Sequence, residues 1–110
     1  MFAVIYRFHL KPYQEDEYQK CWHKVASYFI QNCGAIGSCL HKSDHNLWIA
    51  YSRWPDKVTR DALWPSDGSL NEQFPEEITK AIKIMQDFKK ENQSLKHYDE
   101  ICMDIVDDLI

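Results

Sequence analysis

The stretch Leu47–Trp64 reads LWIAYSRWPDKVTRDALW, and it decides the fold. Its first half is rich in aromatic and β-branched residues and alternates as a strand does. Pro55 stops that strand, because a proline can neither donate to a sheet ladder nor continue one. Asp56 to Trp64 then reads as a short helix, so strand passes into helix with hardly a linker. Three of the four tryptophans lie in these eighteen residues. Trp48 and Trp54 fall on one face of the strand, which assigns them to sheet packing or core. Trp64 closes the helix, and one of the three tryptophans is expected to meet a ligand.

Working outward, Ile36–Lys42 reads as a strand, and the turn-rich tetrapeptide Ser43–Asn46 joins it to Leu47–Trp54 as a hairpin. Phe2–Leu10 alternates cleanly, with Phe2, Val4, Tyr6, Phe8 and Leu10 on one face and Ala3, Ile5, Arg7 and His9 on the other. Lys11-Pro12 breaks it. The acids Glu15, Asp16 and Glu17 then suit a helix N-terminus. An apolar stripe follows at three-and-four spacing: Tyr18, Cys21, Trp22, Val25, Ala26, Phe29, Ile30 and Cys33. Gly34 supplies the stop. Pro65 to Ser69 has breaker chemistry, and Pro75-Glu76-Glu77 opens a second long helix with the stripe Ile78, Ala81, Ile82, Met85 and Phe88. Lys89-Lys90 lie near its C-terminal end. A last strand is expected from about Lys96 to Val106.

The order strand, helix, strand, strand, helix, strand predicts an α+β protein, a ferredoxin-like βαββαβ layer of helices on an antiparallel sheet, in one domain over residues 1–110. The second sheet face, with Ile5 on it, is too apolar for water. A second copy is therefore expected to cover it, which predicts a homodimer.

Composition narrows the function classes. The chain has 110 residues, 27 % of them charged, and a net charge of −4 with dispersed basic groups. That argues against nucleic acid as the main partner, since phosphate binding needs clustered Lys and Arg. No segment approaches the roughly 20 apolar residues of a membrane span, and Met1–Leu10 lacks the features of a signal peptide, so no membrane partner and a cytoplasmic location are expected. The four cysteines form no CxxC pair and the five histidines no HxH pair. Buried free thiols and no dedicated metal site are expected.

At this level the chain resembles the dimeric α+β barrel superfamily, and within it the antibiotic-biosynthesis-monooxygenase-like domains. The resemblance spans nearly the whole chain. It rests on the element order, on Leu10-Lys11-Pro12 before an acidic helix start, and on Arg53-Trp54 leading into a helix that ends at Trp64. It implies a dimer with an aromatic-lined pocket between each sheet and its own helices, and oxygenase chemistry on electron-rich phenols or quinols without metal, flavin or other cofactor. In such chemistry the substrate anion itself gives an electron to oxygen, so the protein binds the ring, favours its deprotonated form and excludes water. Other members degrade haem, and others have no assigned chemistry.

The resemblance places Trp64 at a pocket-lining tryptophan. Members with a polar constellation carry an asparagine one helical turn earlier and a tyrosine soon after; here Arg60 precedes Trp64, and no tyrosine occurs between Tyr51 and Tyr98. Haem-degrading members carry an asparagine on the first strand and a histidine ligand after the tryptophan. Here Tyr6 falls near the first position, and no histidine occurs from Asn46 through Lys96.

The candidate substrate-binding residues are therefore Trp64, Tyr6 and Arg60. Trp64 could equally be plain core packing. Tyr6, on the face with Val4 and Phe8, could aim its hydroxyl at a small aromatic ligand or bond to backbone inside the core. Arg60 could hold an anion through its fork of donors or lie on a solvated helix face. Arg53 suits an ion pair or dimer contact. His9 and His41 are possible bases without a visible orienting partner, which makes them structural residues. The expected functions are a cofactor-independent monooxygenase on a phenol, quinol or polyketide-like substrate, a non-catalytic dimeric ligand-binding module, and, more distantly, a haem binder.

Overall fold

The structure is a computed structural model that describes residues 1–63, 74–92 and 98–109. Strand β1 (Phe2–His9) lies between β3 (Leu47–Trp54) and β4 (Ile101–Asp104), and β2 (Gly37–Lys42) pairs with the far side of β3. Every pairing is antiparallel, in the order β2-β3-β1-β4. The long helices α1 (Glu15–Asn32) and α3 (Glu76–Asn92) pack together and against the sheet, and the short α2 (Lys57–Leu63) follows β3. This is the ferredoxin-like α+β arrangement that the element order predicts, with α2 inserted after the third strand.

The register explains the burial. Phe2 faces Trp54, Val4 faces Ser52, Tyr6 faces Ala50 and Phe8 faces Trp48. All eight therefore point to the side that the helices cover. Phe2, Val4, Phe8, Trp48, Ala50 and Trp54 are buried there with Tyr18, Val25 and Phe29 of α1 and Ile78, Ala81, Ile82 and Met85 of α3. Both tryptophans of β3 thus serve the core beneath the helices. The opposite face carries Ile5, Arg7, His9, Ile49, Tyr51 and Met103, all of them only half-buried among the described residues.

Helix α1 ends as expected. Gly34 has φ +83°, a conformation that costs glycine nothing, and Ala35 N–H returns to the carbonyl of Phe29 at 3.2 Å. The β2–β3 connection is a tight turn in which His45 and Asn46 both take φ 58°.

Two expectations need correction. The last strand is four residues long, not eleven, because it pairs only with Phe2–Ile5. Beyond Ile5, β1 meets this segment through side chains: Arg7 lies over the Tyr98 ring at 4.9 Å and donates to the Asp99 carbonyl at 3.4 Å. The four cysteines are free, but none is buried. Cys21 and Cys33 are half-buried, and Cys39 and Cys102 sit exposed on the edge strands β2 and β4.

Among the described residues, no helix is long and apolar enough to cross a membrane, and no group of three or more His, Cys, Asp or Glu could hold a metal ion.

Candidate functional site

A half-open cavity of about 70 Å³ lies between the sheet and its own helices. The sheet contributes Tyr6, Ser38, Ala50, Ser52 and Trp54. Helix α1 contributes Tyr18, Trp22, Val25, Ala26 and Phe29, and α3 contributes Met85 and Lys89. A wider groove of about 780 Å³ runs outside α1, on the far side of Trp22, but most of its lining residues are exposed and solvated. The half-open cavity, walled mainly by aromatic and apolar side chains, is the better ligand site.

Tyr6 reaches this site because even-numbered residues of β1 face the helices. Its hydroxyl accepts a hydrogen bond from the Arg60 guanidinium at 3.0 Å. Arg60 is fully buried, and the same guanidinium pairs with Glu100 and with Asp61. Burial opposes its charge, and the bonds to Glu100, Tyr6 and Asp61 more than offset that, so it stays cationic. Arg60 therefore belongs to a buried Tyr6–Arg60–Glu100 relay behind the cavity wall, joining α2 to the edge of the sheet. Burial pushes the Tyr6 phenol up to about 12, with Arg60 pulling the other way. Tyr6 is thus a neutral, oriented donor at physiological pH.

Besides Ser38 and Ser52, two further groups contribute to the polar lining, and neither is among the residues that the sequence nominates. Tyr18 is 0 % exposed, and its hydroxyl has no hydrogen-bond partner. Burial raises its phenol well above the ordinary value. Lys89 holds its ammonium 4.8 Å from the Phe8 ring centroid, 5.3 Å from Tyr6 and 5.9 Å from Tyr18. Such a cage attracts a cation through the ring faces but offers it no acceptor. Among the described residues, Lys89 makes no hydrogen bond or ion pair, and burial pushes its ammonium down to about 8.

The end of α3 that carries Lys89 is fixed in place. Asn92, buried on the same stripe, donates to the Gln14 side-chain oxygen at 3.1 Å and to the Phe88 carbonyl at 2.8 Å. Buried Gln14 donates to Glu91 at 2.6 Å, and its oxygen also accepts from Lys11 N–H at 3.0 Å. This cluster ties the turn before α1 to the last turn of α3, so the Lys89 stem is delivered over Tyr6 and Tyr18 from a rigid base.

Of the three nominated residues, Tyr6 lines the cavity and Arg60 orients Tyr6 from behind it. Trp64 lies outside the described residues, as does most of the Pro65–Phe74 loop expected beside it. Phe74, at the end of that loop, packs on Tyr28 and Phe29. His9 and Arg7 are on the opposite sheet face, where His9 contacts the Tyr98 hydroxyl at 3.2 Å and the Asn46 carbonyl at 3.1 Å. His9 thus has a partner that sequence reasoning could not supply, but it is remote from the cavity. Arg53 forms an ion pair with Asp108 on that same face.

No family model matches the chain, and no curated protein matches it. Solved structures do. A structure described as an antibiotic biosynthesis monooxygenase aligns with TM-score 0.65 and 15 % identity over 97 % of this chain and 100 % of its own. SnoaB of Streptomyces nogalater, described as a cofactor-independent oxygenase and solved as a variant, aligns with TM-score 0.67 and 14 % identity over 98 % and 95 %. LmHde of Listeria monocytogenes, described as a heme-degrading enzyme, aligns with TM-score 0.63 and 17 % identity over 92 % of this chain and 59 % of its own. The fold is therefore that of the antibiotic biosynthesis monooxygenase structures.

Proposed function

We propose that this chain, which has the antibiotic biosynthesis monooxygenase fold, is a cofactor-independent oxygenase of small electron-rich phenols or quinols. The observation that carries the reading is the aromatic-walled cavity between sheet and helices, whose lining includes the phenols of Tyr6 and Tyr18 and the amine of Lys89. A phenol bound there would be stabilised as its phenolate by Lys89, Tyr18 and Tyr6, since charge-assisted hydrogen bonds in a dry site are the strong ones. The phenolate passes one electron to dioxygen, the two radicals combine at a ring carbon, and loss of water leaves a quinone. Phenol plus dioxygen gives quinone plus water, so the balance closes with oxygen as the only oxidant. The ring aromatics Phe29, Trp54 and Trp22 would hold the substrate and keep water away, and Trp64 remains the expected further wall residue.

The cavity volume speaks against a fused polyketide, and a single ring, which takes a cavity of about 150 Å³, enters only as the half-open wall gives way. Pockets for drug-sized ligands run to roughly 300–1,000 Å³, far above the 70 Å³ here. The same volume speaks against haem. The test is oxygen consumption by the pure protein with a panel of monocyclic hydroquinones and catechols, compared with the uncatalysed rate. No acceleration with any of them refutes the oxygenase reading.

A second reading has its own observation. Arg60 stands where an asparagine would serve the polar constellation, and it is committed to Glu100, Asp61 and Tyr6 rather than facing the ligand. A non-catalytic ligand-binding module fits that commitment. Melting shifts with ring compounds, without turnover, are its expected signature.

For the open sheet face we propose a second copy of this chain as the cover. Ile5, Ile49, Tyr51 and Met103 form a half-buried apolar field there, larger than water favours on a monomer. Sedimentation of a homodimer is the expected result.

A further inference from the structure

We propose that Lys89 is a carbonyl-capturing amine, which condenses with a small aldehyde or ketone in the cavity and holds it as an imine. The inference needs only the cavity and its lysine, and it stands apart from the oxygenase reading.

The geometry isolates this amine. Lys89 lines the cavity from α3 and is half-buried, so a small reactant can reach it. Its nitrogen lies over the rings of Phe8, Tyr6 and Tyr18, and among the described residues no carboxylate pairs with it. Other lysines do find one: Lys42 pairs with Glu15, Lys57 with Asp61 and Lys80 with Glu76. An ammonium among ring faces alone has lost water without gaining a counter-charge, and shedding its proton relieves that cost. Burial accordingly pushes it down to about 8. At pH 7 that leaves about a tenth of it as free amine, against about one part in three thousand for an ordinary lysine. A desolvated lysine in an apolar pocket is the kind that forms Schiff bases.

The chemistry closes with no oxidant and no second reagent. The Lys89 lone pair attacks the carbonyl carbon, and the C–N bond forms as the carbonyl π pair moves to oxygen. That oxygen gains a proton and the nitrogen loses one, which gives a carbinolamine. Protonation of its hydroxyl then releases water as the nitrogen pair forms the C=N bond. Amine plus carbonyl thus gives imine plus water. The Tyr18 hydroxyl, buried in the same lining and without a hydrogen-bond partner, is the group placed to carry these protons between nitrogen and oxygen. A protonated imine keeps its positive charge over the ring faces that already surround the ammonium. Size selects the reactant. The cavity holds about 70 Å³. A benzene ring takes about 150 Å³, so the space suits a carbonyl compound of roughly two to four carbons.

Reductive trapping on the intact protein tests this. Acetaldehyde is added at pH 7 with cyanoborohydride, which reduces the imine to a stable ethylamine, and peptide mass mapping locates the label. Lys90, exposed and next in sequence, is the internal control. The chain's α-amine, with an ordinary value of about 8, reports an equally acidic amine in open water. The expected result is labelling of Lys89 at least about tenfold faster than Lys90, set by its larger free-amine fraction. With naphthaldehyde, whose fused rings exceed the cavity, the ratio of Lys89 to α-amine labelling should fall several-fold. Tyr18→Phe should slow the labelling of Lys89 several-fold and leave the α-amine unchanged, an effect that acidity alone would not produce. Labelling of Lys89 no faster than Lys90 overturns the proposal. So does an unchanged ratio with naphthaldehyde, which would put the amine outside the cavity. Undiminished labelling in Tyr18→Phe overturns the proton-carrying role of Tyr18. The oxygen-consumption assay bears on the oxygenase reading alone, so the two stand or fall separately.

Discussion

Lys89→Met should stabilise the ligand-free protein, by an amount that depends on pH in a defined way. The ordinary lysine value of 10.5 falls to about 8 in the cavity. At roughly 1.4 kcal/mol per pH unit, that is a native-state penalty on the charged form with a ceiling of about 3 kcal/mol. The cavity is half-open and water reaches the ammonium, so a gain of about 1 to 3 kcal/mol is expected near neutral pH. Methionine fills the space of the lysine stem and adds thioether–aromatic contacts, so packing does not offset the gain. In melting temperature this corresponds to a rise of roughly 5 to 10 °C for a domain of this size.

The sign follows from the depressed native value. Below about pH 8 the lysine is charged in both native and unfolded states, and the penalty is felt in full. Between about 8 and 10.5 the native state sheds its proton while the unfolded chain keeps it, so the penalty shrinks; above 10.5 it is gone. The stability gap between variant and native protein should therefore be flat up to pH 7.5 and close towards pH 10.5. Tyr6 acts in the opposite sense: its phenol, raised to about 12, contributes stability that is present below the ordinary value of 10.0 and lost as pH rises through 12. Both proteins share that effect, so the difference between them isolates Lys89. Urea denaturation under reducing conditions at five pH values measures the gap. A variant less stable than the native protein at pH 7, or a gap that does not close with pH, refutes a desolvated, unpaired ammonium.

Arg60→Met should destabilise by about 1 to 3 kcal/mol, because it removes the charge-assisted bonds that join Tyr6, Asp61 and Glu100, and urea unfolding will read it; a loss below 1 kcal/mol would show the network to be dispensable. Tyr18→Phe removes a hydroxyl that has no partner, so it should be neutral or stabilising by up to about 1 kcal/mol in the same assay. Asn92→Ala should cost about 1 to 3 kcal/mol, since it leaves the Gln14 oxygen and the end of α3 without a shared donor. Tyr51→Glu, on the open sheet face, should convert a dimer to monomers by sedimentation while leaving the melting shift with ring anions intact.

How far the sequence could be read depends on what kind of signal each element leaves. The strands β1 and β3 are plain in it because residues of period two sit between a greasy helix layer and a semi-apolar open face. The edge strand β4 is not, because its pairing partner is only the first half of β1. The apolar alternation of Ile101, Met103 and Ile105 continues past the last ladder contact and overstates its length. Tyr6 could be placed from parity alone. Arg60 could be suspected but not understood, since Glu100 lies 40 residues away in sequence and nothing local announces the pair. Lys89 left a usable trace. It follows Ile78, Ile82 and Met85 on one helical stripe, four residues after Met85, and so falls on the face that α3 buries. Beside Lys90 it reads instead as ordinary charge at a helix C-terminus, where cations are favoured. A lysine in phase with an apolar stripe deserves a different weight from one out of phase, and here the phase distinguishes the two neighbours.

The placement of that lysine also joins stability to function. A partly desolvated ammonium among ring faces and a buried phenol without an acceptor both raise the free energy of the empty site. The first of these costs is relieved by the arrival of a negatively charged oxygen. Binding then recovers free energy already spent in folding, which is preorganisation in the electrostatic sense. The protein should therefore be least stable empty and gain most from an anion at neutral pH, where Lys89 is charged and the native penalty is greatest. A ring anion at a hundred times its dissociation constant should add about 2.7 kcal/mol by mass action. That gain should shrink as pH rises past 8 and Lys89 discharges, even though the ligand stays ionised.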